Sequence, residues 1–160
     1  MSPKLQFKDL KKNQKHWYSG KKKKHTIKAQ VLVNQRTLKI LATNFEKGRR
    51  HDFRVYKESN LTIHPEIQIK ADTAYKSKKY PSIQTPHKKP RKSKNNPNPK
   101  LTKQEKQENK QFNSVRVRIE NVFAWLKKYK MIHETYRNRR KRFGLRFNLI
   151  SAIYNFELDL

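Results

Sequence analysis

No cysteine occurs in this chain of 160 residues, glycine occurs only three times, and acidic residues are scarce. Each shortage excludes something. Without cysteine there is no disulfide framework and no thiolate metal site, so any metal must be held by oxygen or nitrogen donors. No apolar run approaches the roughly 20 residues of a membrane span. The start, Met1 to Lys8, has no apolar stretch of signal-peptide length. Together these give the expectation of a soluble, intracellular protein.

What is abundant is positive charge. Lys and Arg number 41 against 12 Asp and Glu, a net charge of +29. An excess of this size calls for a polyanionic partner, most simply nucleic acid. Hydrophobic residues make up 33% of the chain, low for a globular domain. They gather in the segments 26–45, 53–56, 67–75, 112–132 and 143–158 rather than spreading evenly.

Residues 8–24 are almost wholly basic and polar, ending in Lys21, Lys22, Lys23 and Lys24. From Thr26, Ile27, Ala29, Val31 and Val33 alternate with Lys28, Gln30 and Leu32, the period of a strand with one buried face. Asn34 to Arg36 reads as a tight link, and Leu38, Ile40 and Ala42 alternate again. The expectation is a β-hairpin whose outward face carries lysines. Phe53 to Glu58 is a short helix with Asp52 as its N-cap. Glu66 to Ala71 alternates as a third strand ending at Asp72. Residues 76–102 form a basic loop interrupted by Pro81, Pro86, Pro90, Pro97 and Pro99.

The strongest periodic signal follows. Phe112, Val115, Ile119, Val122, Phe123, Leu126 and Tyr129 lie on one helical face. Phe143, Phe147, Ile150, Tyr154 and Leu158 mark a second helix. Trp17, Trp125 and Tyr154 suit either a core or base stacking, with packing the expectation for Trp125.

Two carboxylates stand out against the basic background. Asp72 ends a strand, and Glu120 lies at the margin of the long helix's apolar stripe. Carboxylates converging from different elements hold Mg²⁺ or Mn²⁺ for phosphodiester chemistry. The same residues have plainer readings: Asp72 as a turn residue, and Glu120, flanked by Arg116 and Lys127, as a surface ion-pair partner.

The ordered set Tyr18-Ser19-Gly20-Lys21, Gly48-Arg49-Arg50-His51-Asp52, Ala71-Asp72-Thr73-Ala74-Tyr75, Pro86-His87-Lys88-Lys89-Pro90, Arg116-Val117-Arg118-Ile119-Glu120-Asn121 and Tyr136-Arg137-Asn138-Arg139-Arg140 resembles the carboxy-terminal part of bacterial insertion-sequence transposases of the DDE superfamily endonuclease type. The resemblance covers roughly residues 14–158. It implies an α/β protein with an incomplete RNase H-like fold: hairpin, short helix, strand, basic loop and two carboxy-terminal helices. Residues 1–24 would be a basic amino-terminal segment and residues 25–160 the catalytic domain.

The same resemblance implies that Asp72 and Glu120 are catalytic metal ligands for two Mg²⁺ (or Mn²⁺) ions. His51, Asp52 and Tyr75 would support the site. Lys21, Lys22, Lys23, Lys24, Lys88, Lys89, Arg116, Lys127, Arg137, Arg139 and Arg140 would face the DNA backbone, supplying affinity rather than sequence reading. The family's first catalytic aspartate sits in an Asp-x-Thr-Glu context, and none occurs here. Asp9, the only acidic residue before the hairpin, stands in Phe7-Lys8-Asp9-Leu10-Lys11 instead.

The expectation is therefore a transposase segment truncated before that aspartate and inactive alone. It would be completed by an amino-terminal half or a homo-oligomer, and would sit in the bacterial cytoplasm with the nucleoid. A missing first strand would leave the hairpin and the Asp72 strand with unpaired edges and marginal stability. One competing reading is a non-catalytic DNA-binding remnant that interferes with intact transposase. Another, resting on charge alone, is a general RNA-binding or ribosome-associated protein.

Overall fold

The computed structural model describes residues 4–6, 14–59, 61–77, 79–94, 96–136 and 142–160, with backbone alone at 4–6 and 14. The chain divides into two compact units, residues 1–61 with 118–160, and residues 62–117.

The first unit is built on the hairpin that the alternation predicts. Strand β3 (Lys24–Val33) pairs antiparallel with β4 (Ile40–Lys47), with Ala29 opposite Phe45 and an irregularity between Leu32 and Val33. The Asn34 side chain closes the link by accepting from the amides of Arg36 and Thr37, an Asx turn. The second edge of β3 is covered over its first half, residues 24–28. Strand β1 (Lys4–Gln6) pairs with residues 26–28, and β2 (Tyr18–Ser19), which follows the short helix α1 (Gln14–Trp17), pairs with His25 and Lys24. The amino-terminal segment thus fills part of the edge expected to be bare, while among the described residues Ala29 to Val33 have no strand partner on that side.

One face of the sheet carries Ile27, Ala29, Ile40 and Phe45 into a core with three carboxy-terminal helices, α3 (Lys103–Leu126), α4 (Lys130–His133) and α5 (Phe143–Glu157). Only the part of α3 from Arg118 onward belongs to this unit. Phe45 meets Phe143 and Phe147 edge-on, with ring centroids 5.4 and 5.1 Å apart. Phe143 and Phe147 are fully buried. Asn155 ties α5 to the start of β4: its Oδ1 accepts from Ile40 N and its Nδ2 donates to Ile40 O, both at 2.8 Å. Trp125 packs against Tyr154 and Tyr129 and donates Nε1–H to Glu157, so it serves the core edge.

The long helix stops at Leu126, and a separate turn, α4, follows. At about 100° per residue Ile132 would lie far from the Leu126 stripe if the helix ran on. The break lets Ile132 bury to 3% exposure.

The other sheet face carries α2 (Asp52–Lys57), and it is not the solvated lysine face that was expected. The Lys28 side chain is 4% exposed, lies 2.9 Å from Asp52 Oδ1 and donates to Arg50 O. The N-cap of α2 is His51 rather than Asp52: Nδ1 of His51 accepts from Phe53 N at 3.3 Å. Asp52 is drawn inward by the buried ammonium instead.

In the second unit the expected strand before Asp72 shortens to β5 (Ile69–Lys70). It pairs in parallel with β6 (Ile83–Gln84), inside a stretch read from sequence as loop. Ile83 and Tyr75 are buried there. Thr102 and Glu105 start α3 with a reciprocal cap. The Glu105 amide donates to Thr102 Oγ1, and Glu105 Oε2 accepts from the Thr102 amide and hydroxyl. Among the described residues no helix is long and apolar enough to cross a membrane.

Candidate active site and nucleic-acid interface

Asp72 belongs to the second unit. It caps a 3-10 turn (Thr73–Tyr75), its Oδ1 accepting from Thr73 N at 2.6 Å and from Thr73 Oγ1 at 3.4 Å. The side chain is exposed. The local cause is the Ala71-Asp72-Thr73 sequence, in which a short acceptor precedes a free amide. Tyr75 at the end of the turn is 7% exposed and anchors it. Glu120 belongs to the first unit, exposed on α3 one position past Ile119, which packs against the core. Glu120 and Arg116 are both engaged by other groups.

Hard divalent cations take oxygen donors of the kind Asp72 and Glu120 offer. Among the described residues, however, no group of three or more His, Cys, Asp or Glu side chains assembles to hold a metal. Asp72 already commits Oδ1 to its own turn. These donors do not by themselves fit a paired-ion centre.

The basic residues are better defined. Tyr18 and Ser19 pair with His25 and Lys24 as a small hairpin, and Lys22 N donates to Ser19 O across its tip at 3.1 Å. Lys21, Lys22, Lys23 and Lys24 are all exposed there, with Lys23 in the left-handed region at φ 50. Arg49 is brought near the base of this hairpin by Gly48, whose amide donates to Thr26 O at 2.8 Å. A Cβ on Gly48 would lie 1.9 Å from Thr26 Oγ1, so only glycine permits this approach.

In the second unit Lys88 and Lys89 are exposed directly after His87. His87 is fastened to α3: its Nε2 lies 2.6 Å from Glu108 Oε2, its amide donates to Asn109 Oδ1, and Asn109 Nδ2 donates to its carbonyl. Glu105 is held below the usual carboxylate range, first by its bonds from the Thr102 amide and hydroxyl and then by His87. Lys127 is exposed in the first unit, and Arg116, half-buried, belongs to the second. Arg137, Arg139 and Arg140 lie outside the described residues. The buried Tyr136 just before them accepts from Arg146 Nη1 at 2.7 Å.

His51 and Asp52 hold α2 on the sheet through the cap and the Lys28 pair. The sequence reading missed Lys28 as their partner, because strand alternation placed it outward. It also missed Tyr18, His25 and Arg49 as a group, since they meet only through the hairpin pairing and the Gly48 approach.

The described residues thus present a mixed α/β chain with an exposed lysine hairpin and a large excess of positive charge. The family model for the DDE superfamily endonuclease matches residues 4–155, and the chain belongs to that family. A curated relative in Microchaete diplosiphon, named "Probable transposase for insertion sequence element IS702", is 40% identical over 152 residues. The match covers 94% of this chain and 53% of the relative, so the chain spans about half that protein's length. No solved structure matches.

Proposed function

We propose that this chain is the carboxy-terminal part of the DNA-cleaving domain of an insertion-sequence transposase. The observation that carries the reading is the family match across residues 4–155, joined to a net charge of +29. The β3–β4 hairpin with helices on both faces is the part of an RNase H-like fold that the chain supplies. Residues 25–160 form the catalytic domain with its basic loop at about 76–102, and residues 1–24 the basic segment before it.

In this reading Asp72 and Glu120 are two of the carboxylates of an Mg²⁺- or Mn²⁺-dependent site for strand cleavage and strand transfer. His51, Asp52 and Tyr75 stiffen its surroundings. Lys21 to Lys24, Lys88, Lys89, Arg116, Lys127 and the Arg137 to Arg140 segment lie along DNA phosphates. The chain alone is inactive, and a further carboxylate comes from a complementing amino-terminal segment or a second chain in an oligomer.

A second reading is favoured because, among the described residues, no group of three or more His, Cys, Asp or Glu side chains gathers to hold a metal. The chain is then a non-catalytic DNA binder that competes with intact transposase. Strand cleavage separates the two. The chain mixed with the amino-terminal segment of a relative cleaves DNA in Mg²⁺ or Mn²⁺ under the first reading. Under the second it never cleaves and lowers the turnover of an intact relative.

A further inference from the structure

An open cleft of about 520 Å³ lies at the base of the lysine hairpin, lined by Lys15, Tyr18, Gly20, His25 and Arg49. Its volume falls within the range of small-ligand sites. The lining comes from separate elements of one unit: Lys15 from α1, Tyr18 from β2, His25 from β3, and Arg49 from the turn after β4. None of the described residues lining it is acidic.

Tyr18 is 42% exposed, and its ring meets His25 edge-on, with centroids 5.8 Å apart and planes at 70°. An edge-on pair leaves both faces of the edge-donating ring clear of the other ring. Lys15 and Arg49 are exposed, and the Lys21 to Lys23 tip continues from Gly20. The backbone fixes this grouping: Tyr18 is opposite His25 in the β2–β3 register, and Gly48 against Thr26 places Arg49.

Aromatic rings beside a guanidinium and an ammonium match the two halves of a nucleotide, one a flat base and the other a phosphate. Bases in a duplex are stacked on each other and cannot reach a side-chain ring, whereas unpaired bases can. We propose that this cleft binds a nucleotide of unpaired DNA, with the base stacked on the Tyr18–His25 pair and its phosphates on Lys15 and Arg49. The proposal rests on the reading of the chain as a DNA-acting protein and adds a strand-state preference to it.

The test measures binding of the full chain to fluorescently labelled oligothymidylate, oligouridylate and a blunt DNA duplex of equal length at one salt concentration. Tyr18→Ala is expected to weaken oligothymidylate binding about tenfold, a typical loss for one stacked base, and to change duplex binding less than twofold. Tyr18→Phe, which keeps the ring, restores the affinity and guards against a folding defect. Equal losses on single strand and duplex, or no loss on either, overturn the proposal. Tighter binding of oligouridylate overturns the assignment to DNA. If no nucleic acid binds at all, the functional reading fails along with it.

Discussion

The Lys28 ammonium is enclosed between the sheet and α2 with Asp52 2.9 Å away, a contact that is electrostatic rather than a well-aligned hydrogen bond. Lys28 is 4% exposed and Asp52 32%. Removing the carboxylate leaves a buried cation whose remaining partner among the described residues is the Arg50 carbonyl. Asp52→Ala is expected to cost about 2–3 kcal/mol, less than a fully enclosed pair because Asp52 is partly solvated. Lys28→Met in the Asp52→Ala background should recover much of that loss. Urea unfolding of the two variants decides it: a double variant no more stable than the single one refutes the buried-charge account.

Gly48 presents a steric rather than an electrostatic constraint. A methyl group there meets Thr26 Oγ1 at 1.9 Å and the Thr26 carbonyl oxygen at 2.6 Å. The side chain can rotate away, but the carbonyl belongs to the central strand. Gly48→Ala should destabilise the unit by roughly 1–3 kcal/mol, as overpacking does. Gly20→Ala, where no atom lies within 4 Å of the added carbon, should be nearly silent by comparison. Thermal unfolding of the pair checks the contrast.

Glu105 makes the start of α3 sensitive to acid. Its bonds from Thr102, and the nearby His87, hold the folded carboxyl below its unfolded value. The stabilisation is therefore full above the unfolded carboxylate range and is lost as pH falls through the depressed folded value. Helicity followed by circular dichroism should decline across that window in the native chain. Glu105→Gln, which keeps the reciprocal cap without a titrating group, should flatten that part of the curve.

The lysine hairpin should set how steeply DNA binding depends on salt. Replacing Lys21→Ser and Lys22→Ser leaves the Lys23 backbone undisturbed. The slope of log affinity against log salt should fall by up to roughly 0.9 for each phosphate that is no longer neutralised. The weakening should be similar across DNA sequences, since phosphates carry no base information. An unchanged slope would mean that this tip faces away from DNA.

The hairpin and the second carboxy-terminal helix were legible because Ile27, Ala29 and Val31 keep a strict period of two while Phe143, Phe147, Ile150 and Tyr154 keep a helical one. Lys28 defeated that reading, for its period marks it as outward but not as covered by α2. Alternation reports which side a residue faces and not what lies on that side. The strand before Asp72 was legible but read too long, and its partner β6 was missed because two residues are too short for any period. For the site, the order of short motifs carried the family, and the match over residues 4–155 agrees with it. The Tyr18, His25 and Arg49 cleft was invisible in the sequence, because a cross-strand register and one glycine contact create it.

The most direct test of the functional reading is cleavage by the complemented chain carrying Asp72→Asn or Glu120→Gln. DNA affinity is measured on the same samples. The account predicts that each substitution takes Mg²⁺-dependent cleavage to background and leaves DNA binding intact. Undiminished cleavage with either substitution would contradict the assignment of that carboxylate to the active site.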